Sequence, residues 1–233
     1  MYAARLQSVT RSYQRGTAPA VHALRGVSFG IPAGQYLAIM GPSGCGKSTL
    51  MNLLGCLDRP TSGTYELHGQ QVAELDDTEL SRVRGRQIGF VFQSFNLIPQ
   101  LTIRENVEVP LFYQGVPAAA RRARAEAALR SVGLETRLTH LPSELSGGQM
   151  QRTAIARAIV TDPAILMADE PCGNLDSAAS AGILALFEQL HASGRTLIMV
   201  THDEGIAKRC QRVLRLRDGR VESDSLPGVS HAA

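Results

Sequence analysis

The strongest constraint on the fold lies in residues 36–57, where three different segments follow one another without a break. Tyr36–Met40 is a short apolar run with the length of a buried strand. The loop at 41–49 reads GPSGCGKST and fits the pattern GxxxxGK[ST]. Leucines then recur with helical spacing over 48–57, and the turn-forming residues at 59–63 predict the end of that helix. A strand, a glycine-rich loop and a helix in this order predict a site that binds phosphate.

The chemistry of phosphate explains the composition of this loop. Glycines let several backbone N–H groups approach one anion, and the positive end of the following helix adds attraction. We expect Lys47 to reach the β- and γ-phosphates of a nucleotide, and the hydroxyl of Ser48 to bind magnesium. Such a loop alone leaves kinases, GTPases and many other nucleotide triphosphatases open. The candidate contacts are Gly41, Pro42, Ser43, Gly44, Cys45, Gly46, Lys47, Ser48 and Thr49.

The totals favour one compact domain. A chain of 233 residues with 44% hydrophobic content can bury a sizeable core but is short for two full domains. We expect the domain to span 1–222 and the tail at 223–233, with Pro227 and Gly228, to be disordered. The net charge of +3 does not demand nucleic acid, and the four cysteines are spaced too widely for a zinc site. The chain lacks an apolar run of ~18 residues, so we expect a soluble, cytosolic protein.

The other predicted elements alternate between strands and helices. Strands are expected at 27–31, 164–168 and Thr196–Val200. Helices are expected at 118–132, from about Ser146 onward, and over Ser177–Ala192. This alternation predicts an α/β protein whose largely parallel sheet is covered on both faces.

Two adjacent carboxylates close one of these apolar strands. Asp169 and Glu170 follow the run ILMA. Because successive strand side chains point to opposite faces, we expect the pair to divide its work. Asp169 suits magnesium, and Glu170 suits a general base that orients the attacking water. His202 follows the strand Thr196–Val200, from where a histidine can reach a terminal phosphate.

The run LSGGQ at 145–149 resembles the signature motif of ABC ATPases. The family's other elements follow in the expected order around it: the phosphate loop, Gln93, the Asp169–Glu170 pair, the run NLD ending at Asp176, and His202. The resemblance extends from Tyr13 to about Gly219. It implies a P-loop NTPase fold: a RecA-like core, a small antiparallel β subdomain, and an α-helical subdomain inserted at about 94–160.

The resemblance also implies how the site is assembled. Ser146 can cap the helix that follows it, while the glycines after it expose backbone donors, so this helix start offers a second anion site. In the family, that site faces the ATP of a second subunit in a head-to-tail homodimer. Tyr13 would stack on adenine, Gln93 would sense magnesium and the attacking water, and Asp176 would act across the interface. The nucleotide contacts of the signature are Ser146, Gly147, Gly148 and Gln149; the magnesium ligands are Ser48, Gln93 and Asp169.

Longer runs are similar to one branch of the family. The segments at 22–28, 57–63 and 174–176 resemble the lipoprotein-releasing, macrolide-exporting and cell-division ATPases. This implies a separate permease with four membrane helices and a large extracytoplasmic domain, with the ATPase on the cytoplasmic face of the inner membrane. The direction implied is export or extraction. Two departures are visible: Cys172 replaces a threonine, and Met150 a polar residue. Cys172 bears on how the loop before Asp176 communicates.

Three functions are compatible with the ABC motifs: an ATPase acting on DNA, a regulatory ATPase and a transporter subunit. A soluble ABC ATPase acting on DNA is disfavoured, because only 99 residues separate Lys47 from Ser146, too few for a long coiled coil. A regulatory ATPase that signals through a membrane partner without moving a substrate stays open. For a transporter subunit, the segment 95–113 with Leu97, Ile98 and Leu101 is the expected docking surface; the alternative is that it only packs the helical subdomain.

Overall fold

The structure, a computed structural model, describes residues 1–14, 16 and 19–225, which form two compact units. The first unit combines Met1–Arg82 with the chain from Arg195 onward, and the second is Val83–Gly194. The strands are β1 (Tyr2–Tyr13), β2 (Val21–Pro32), β3 (Tyr36–Met40), β4 (Ser62–Leu67), β5 (Gln70–Gln71), β6 (Ile88–Phe92), β7 (Ile165–Asp169), β8 (Thr196–Val200), β9 (Arg212–Arg217) and β10 (Arg220–Asp224). The helices are α1 (Lys47–Leu54), α2 (Asp77–Gln87), α3 (Ile103–Tyr113), α4 (Ala118–Ser131), α5 (Gly147–Ile159), α6 (Ser177–Ala192) and α7 (Glu204–Ala207), with a 3-10 turn at Pro142–Glu144.

An antiparallel sheet in the first unit matches the predicted β subdomain. Its strand order is β2-β1-β4-β5, and both neighbours of β1 run antiparallel to it. The buried positions of β1 include Ala4, Leu6 and Val9, while Arg5 and Gln7 are exposed. One face of this sheet is therefore apolar, as expected for a sheet with a single buried face.

The first unit also contains the strand that leads into the phosphate loop. β3 lies between β8 and β9, parallel to both, and β10 pairs antiparallel with β9. Every residue of β3 and β8 is buried, which explains why both read as continuous apolar runs. Ile39 pairs with Val200, so the carboxyl ends of β3 and β8 lie at the same edge.

Helix α1 is shorter than its leucine spacing predicts. It ends at Leu54 rather than at Leu57, whose side chain is 48% exposed. Cys56 has a left-handed backbone with φ of 53°. The N–H of Cys56 donates to the carbonyl of Leu53 at 3.0 Å, and the N–H of Leu57 donates to that of Asn52 at 2.8 Å. These are the two bonds of a Schellman cap, and they end the helix before its last apolar position.

The second unit holds a parallel strand pair and the predicted helical insertion. β6 and β7 are parallel, with Phe92 opposite Asp169. Helices α3, α4 and α5 pack on one another and all lie within 94–160. The fully buried side chain of Asn106 accepts from the N–H of Ile98 at 2.7 Å and donates to the carbonyl of Leu101 at 3.0 Å. A single amide thus fixes the turn that precedes α3.

Strand β10 extends two residues past 222, where we expected the domain to end. Ser223 and Asp224 pair with β9, so the ordered fold includes them. The rest of the predicted tail, 226–233, lies outside the described residues. Among the residues that the structure describes, none of the helices has the length and apolar character needed to cross a membrane.

Candidate nucleotide site

The phosphate loop depends on glycine at two positions. Gly41 and Gly46 have φ of 148° and 105°, a region that other residues rarely adopt. A Cβ at Gly41 would collide with the backbone carbonyl of Leu216, and one at Gly46 would lie 2.6 Å from the carbonyl oxygen of Ala23. Glycine is therefore needed at both positions, because of the positive φ and because a neighbouring backbone lies too close for a Cβ.

The start of α1 supplies the positive end of this loop. The helix begins at Lys47, and its N-cap residue Gly46 makes no side-chain cap. The ammonium group of Lys47 donates to the carbonyl oxygens of Gly41 at 2.6 Å and Pro42 at 2.9 Å. The exposed Ser48 lies in the first turn of the helix. The glycine-rich backbone, the Lys47 charge and the Ser48 hydroxyl thus lie together at the start of one helix, an arrangement that favours an anion.

The loop is also fastened to the turn between β9 and β10. The N–H of Gly219 donates to the carbonyl of Cys45 at 3.0 Å, and the N–H of Arg25 donates to that of Gly219 at 2.8 Å. Cys45 is only 4% exposed, and its N–H donates to the carbonyl of Pro42 at 3.3 Å, so this residue shapes the loop from inside. Exposed His202 follows β8, whose carboxyl end shares an edge with β3.

The two carboxylates in the second unit are not related by strand alternation, contrary to our expectation. β7 ends at Asp169, and Glu170 has a left-handed backbone with φ of 43°. A non-glycine residue in this region is uncommon, and the turn after β7 holds Glu170 there. Because Phe92 is opposite Asp169 in the β6–β7 pair, Gln93 and Glu170 both leave the same edge of that pair.

Gln93 is bound by a residue that we did not predict. Its Nε2 donates to Oδ1 of Asn174 at 3.0 Å, and Nδ2 of Asn174 donates to the backbone carbonyl of Gln93 at 3.1 Å. A Cβ on Gly173 would lie 2.5 Å from Nε2 of Gln93. Gln93 and Asn174 are 81 positions apart in the chain, and no sequence pattern predicts the hydrogen bonds between them.

The signature segment starts α5 with a complete capping box. The N–H of Gln149 donates to Oγ of Ser146 at 3.4 Å, and the N–H of Ser146 donates to Oε1 of Gln149 at 3.0 Å. The cap that we expected at Ser146 is therefore present. A Cβ at Gly147 would lie 3.2 Å from Leu175, and one at Gly148 would lie 3.1 Å from Cβ of Ala179. The two glycines let α5 approach the loop and helix after β7.

Asp176 caps the next helix. Its Oδ1 accepts from the N–H of Ala179 at 2.7 Å, which places Asp176 at the N-cap of α6. The side chain is exposed at this position. Its local role is thus to satisfy one of the unpaired N–H groups of the helix start.

Tyr13 lies at the end of β1, and two side chains of the first unit hold it. Its hydroxyl donates to Oδ2 of Asp58 at 2.7 Å, and the guanidinium carbon of Arg11 lies 4.5 Å from the ring centre.

The candidate site residues divide between the two units. The first unit carries the phosphate loop, Tyr13 and His202, and the second carries Gln93, the signature, the carboxylates and Asp176.

Comparison with known proteins decides the family. The sequence profile of the ABC transporter family matches residues 24–173, a span that contains the phosphate loop, the signature segment and the acidic end of β7. The chain belongs to the ABC transporter family.

This ABC ATPase is similar to several known proteins and to solved structures. It is 53% identical over 209 residues to an uncharacterized ABC transporter ATP-binding protein of Thermotoga maritima, covering 90% of this chain and 89% of that protein. It is 51% identical to the macrolide export ATP-binding/permease protein MacB of Hyphomonas neptunium, covering 94% of this chain but 34% of that protein. A dimeric ATP-binding cassette solved in a post-hydrolysis state with ADP and phosphate is 43% identical, with a TM-score of 0.86 over 95% of this chain and 97% of that one.

As a member of this family the chain is an ATPase that binds ATP. The residues predicted to bind magnesium offer a hydroxyl on Ser48, an amide oxygen on Gln93 and a carboxylate on Asp169. Magnesium prefers oxygen donors and is commonly held by one or two protein groups together with substrate phosphates. In the described part of the chain, no group of three or more His, Cys, Asp or Glu side chains could hold a metal ion. A site shared between protein and nucleotide does not need one.

Proposed function

We propose that this ABC ATPase powers export or extraction by a separate membrane permease, through closure of a homodimer around two ATP molecules. The observation that carries the proposal is the phosphate loop, where two obligatory glycines, the uncapped start of α1 and the Lys47 ammonium converge. The family assignment and the resemblance of residues 145–149 to the ABC signature support the dimeric mechanism.

The proposed hydrolysis gives each candidate residue a separate role. Backbone donors of the loop and Lys47 hold the β- and γ-phosphates, and Tyr13 receives the base. Glu170 orients and deprotonates the attacking water, and His202 contacts the γ-phosphate. Ser48, Gln93 and Asp169 would hold magnesium, which would supply positive charge beside the phosphates. Gln93, bound to Asn174, responds to the state of the nucleotide.

The proposed dimer is head-to-tail. The solved relative with ADP and phosphate is dimeric, and the present chain carries a second helix start, at the half-buried Gly147 and Gly148. Ser146 to Gln149 would contact the ATP of the partner subunit, and Asp176 would lie at the interface. One ATP then belongs to two protein surfaces, so binding of nucleotide and closure of the dimer become a single equilibrium.

The proposed permease is inferred from relatives. MacB and the pyoverdine exporter PvdT of Pseudomonas fluorescens are ATP-binding/permease proteins, and this chain spans about a third of each. We infer that the permease here is a separate chain with four membrane helices and a large extracytoplasmic domain, and that the ATPase is peripheral on the cytoplasmic face. The segment 95–113 is the proposed docking surface; Ile98 in it is 39% exposed.

ATP-dependent dimerisation tests this function. Light scattering with magnesium and ATP should give a dimer for Glu170→Gln, because slow hydrolysis traps the closed state. Adding Ser146→Arg should return the protein to a monomer, since an arginine would occupy the space of the partner's phosphate. Lys47→Ala in the Glu170→Gln background is the matched control that removes nucleotide binding. A dimer that survives Ser146→Arg would contradict the head-to-tail arrangement.

A further inference from the structure

The side chains of Tyr13, Arg11 and Asp58 form a closed set of contacts. The Tyr13 hydroxyl donates to Oδ2 of Asp58 at 2.7 Å, and Nη2 of Arg11 lies 2.8 Å from Oδ1 of the same carboxylate. The Arg11 guanidinium also lies over the ring, 4.5 Å from its centre. Both charged side chains are largely buried, with exposures of 24% for Arg11 and 20% for Asp58. One edge and one face of the Tyr13 ring are therefore fixed, and a ligand can stack only on the other face.

Asp58 in turn is held by the helix that begins in the phosphate loop. Its backbone N–H donates to the carbonyl of Asn52 in α1 at 3.2 Å, and its Oδ1 accepts from the N–H of Arg59 at 2.8 Å. Because α1 starts at Lys47, one rigid helix connects the phosphate-binding end to the carboxylate that orients Tyr13. The spacing between the phosphate loop and the ring is thus set by the protein before a nucleotide binds.

We propose that Arg11 and Asp58 are positioning residues that hold the Tyr13 ring as a stacking surface for the nucleotide base. This inference rests on the proposed function, since it assumes that ATP phosphates bind at the loop. An orienting role predicts a specific energetic pattern. Fixing the ring in advance removes the cost of ordering it on binding. Affinity for the base should therefore depend on both residues, whereas affinity for the phosphates should not.

The test compares two ligands that share the phosphates but not the base. Affinities for magnesium-ATP and for magnesium tripolyphosphate are measured by competition against a fluorescent nucleotide, for wild type and for Tyr13→Phe and Asp58→Asn. Tyr13→Phe keeps the Arg11–Asp58 pair and removes only the hydroxyl bond. Asp77→Asn is the matched control, because it removes a carboxylate from an exposed ion pair with Arg59 in the same unit.

We expect Tyr13→Phe to weaken ATP binding about threefold and Asp58→Asn about tenfold, the larger effect reflecting loss of a charged acceptor. Tripolyphosphate affinity should stay within about twofold, and Asp77→Asn should change neither ligand. In steady-state assays the KM for ATP should rise with kcat unchanged, since the lost interaction is present in ground state and transition state alike. In a Tyr13→Ala background, Asp58→Asn should add no further loss.

Equal losses for ATP and tripolyphosphate in Asp58→Asn would overturn the inference, because Asp58 would then support the phosphate loop or the fold. An additional loss in the Tyr13→Ala background would overturn it as well. Failure of the proposed function looks different: Lys47→Ala would leave both affinities unchanged. The result for Asp58→Asn therefore tests how the base is bound, and the result for Lys47→Ala tests whether the phosphates bind at the loop.

Discussion

The buried ion pair between Arg212 and Asp224 supports a quantitative prediction. Nε and Nη2 of Arg212 donate to the two carboxylate oxygens of Asp224 at 2.7 and 2.5 Å, and the side chains are 2% and 0% exposed. Nη1 of Arg212 donates to the carbonyl of Gly30 at 2.7 Å and to Oε1 of Gln35 at 3.0 Å. The pair ties β10 and β9 to the end of β2, and β9 leads into the turn that holds Cys45.

Asp224→Asn keeps the size of the side chain but leaves the guanidinium of Arg212 buried without its counter-charge. Breaking a buried, bidentate pair from one side costs about 3–5 kcal/mol. Two neutral acceptors remain on Arg212, so we expect a loss of about 3 kcal/mol, at the lower end of that range. For a domain of this length that corresponds to a fall in Tm of about 6–12 °C.

Urea unfolding at pH 7 measures this loss as a lower midpoint at an unchanged m value. Glu222→Gln is the control: it removes the partner of Arg217 from an exposed pair, with exposures of 65% and 43%, and should cost less than about 1 kcal/mol. The double variant Arg212→Met with Asp224→Leu should be more stable than Asp224→Asn, because no unpaired charge remains.

The reasoning is refuted if Asp224→Asn and Glu222→Gln destabilise the protein equally. In that case burial of the pair would add nothing to its contribution to stability.

Urea unfolding of truncated chains tests the same ion pair in a second way. Truncation after residue 222 removes Asp224 and should destabilise the protein at least as much as Asp224→Asn.

Three further predictions concern the site and its supporting helices. Gly46→Ala should weaken ATP binding about 100-fold or more in equilibrium titrations, because the φ of 105° and the crowded Cβ position both oppose alanine. Asn174→Ala should lower kcat about threefold to tenfold with little change in the KM for ATP, since Gln93 loses its bonded partner; an unchanged kcat would exclude a positioning role. Hydrogen bonds from the side chain and backbone of Thr102 lower the pKa of Glu105 in the folded protein. The capping box therefore stabilises α3 above the unfolded pKa of about 4.3 and loses this effect as the pH falls through the lower folded pKa, so the difference in urea midpoint between wild type and Glu105→Gln should shrink below about pH 4.

Local signals account for what the sequence predicted well. The starts of α5 and α6 follow from Ser146 with Gln149 and from Asp176, whose cap partners lie three residues away. The phosphate loop is equally local, since its strand, glycines and helix are contiguous. The chemistry of these segments could therefore be predicted without knowledge of the rest of the fold.

Contacts between distant residues and the exact ends of elements account for what was missed. Tyr13 and Asp58 are 45 positions apart, and no periodicity or cap connects them. The end of α1 was misplaced because Leu57 continues an apolar pattern that the left-handed Cys56 interrupts. The position of Glu170 was misread for a similar reason, as strand alternation was extended one residue past the end of β7. Periodicity alone does not show where an element ends.

The two helix starts that carry nucleotide candidates differ in how their donors are satisfied, and this difference bears on the order of events. At α1 the N-cap is Gly46, so no side-chain acceptor competes with a phosphate for the first-turn amides. The Lys47 ammonium is held beside them by the carbonyls of Gly41 and Pro42. At α5 Ser146 and Gln149 satisfy each other, which leaves mainly the backbone of Gly147 and Gly148 to offer donors. We therefore expect the phosphate loop to be the stronger anion site by itself, and the signature to add its donors in the proposed closed dimer. Nucleotide binding by the single subunit should therefore precede closure of the proposed dimer.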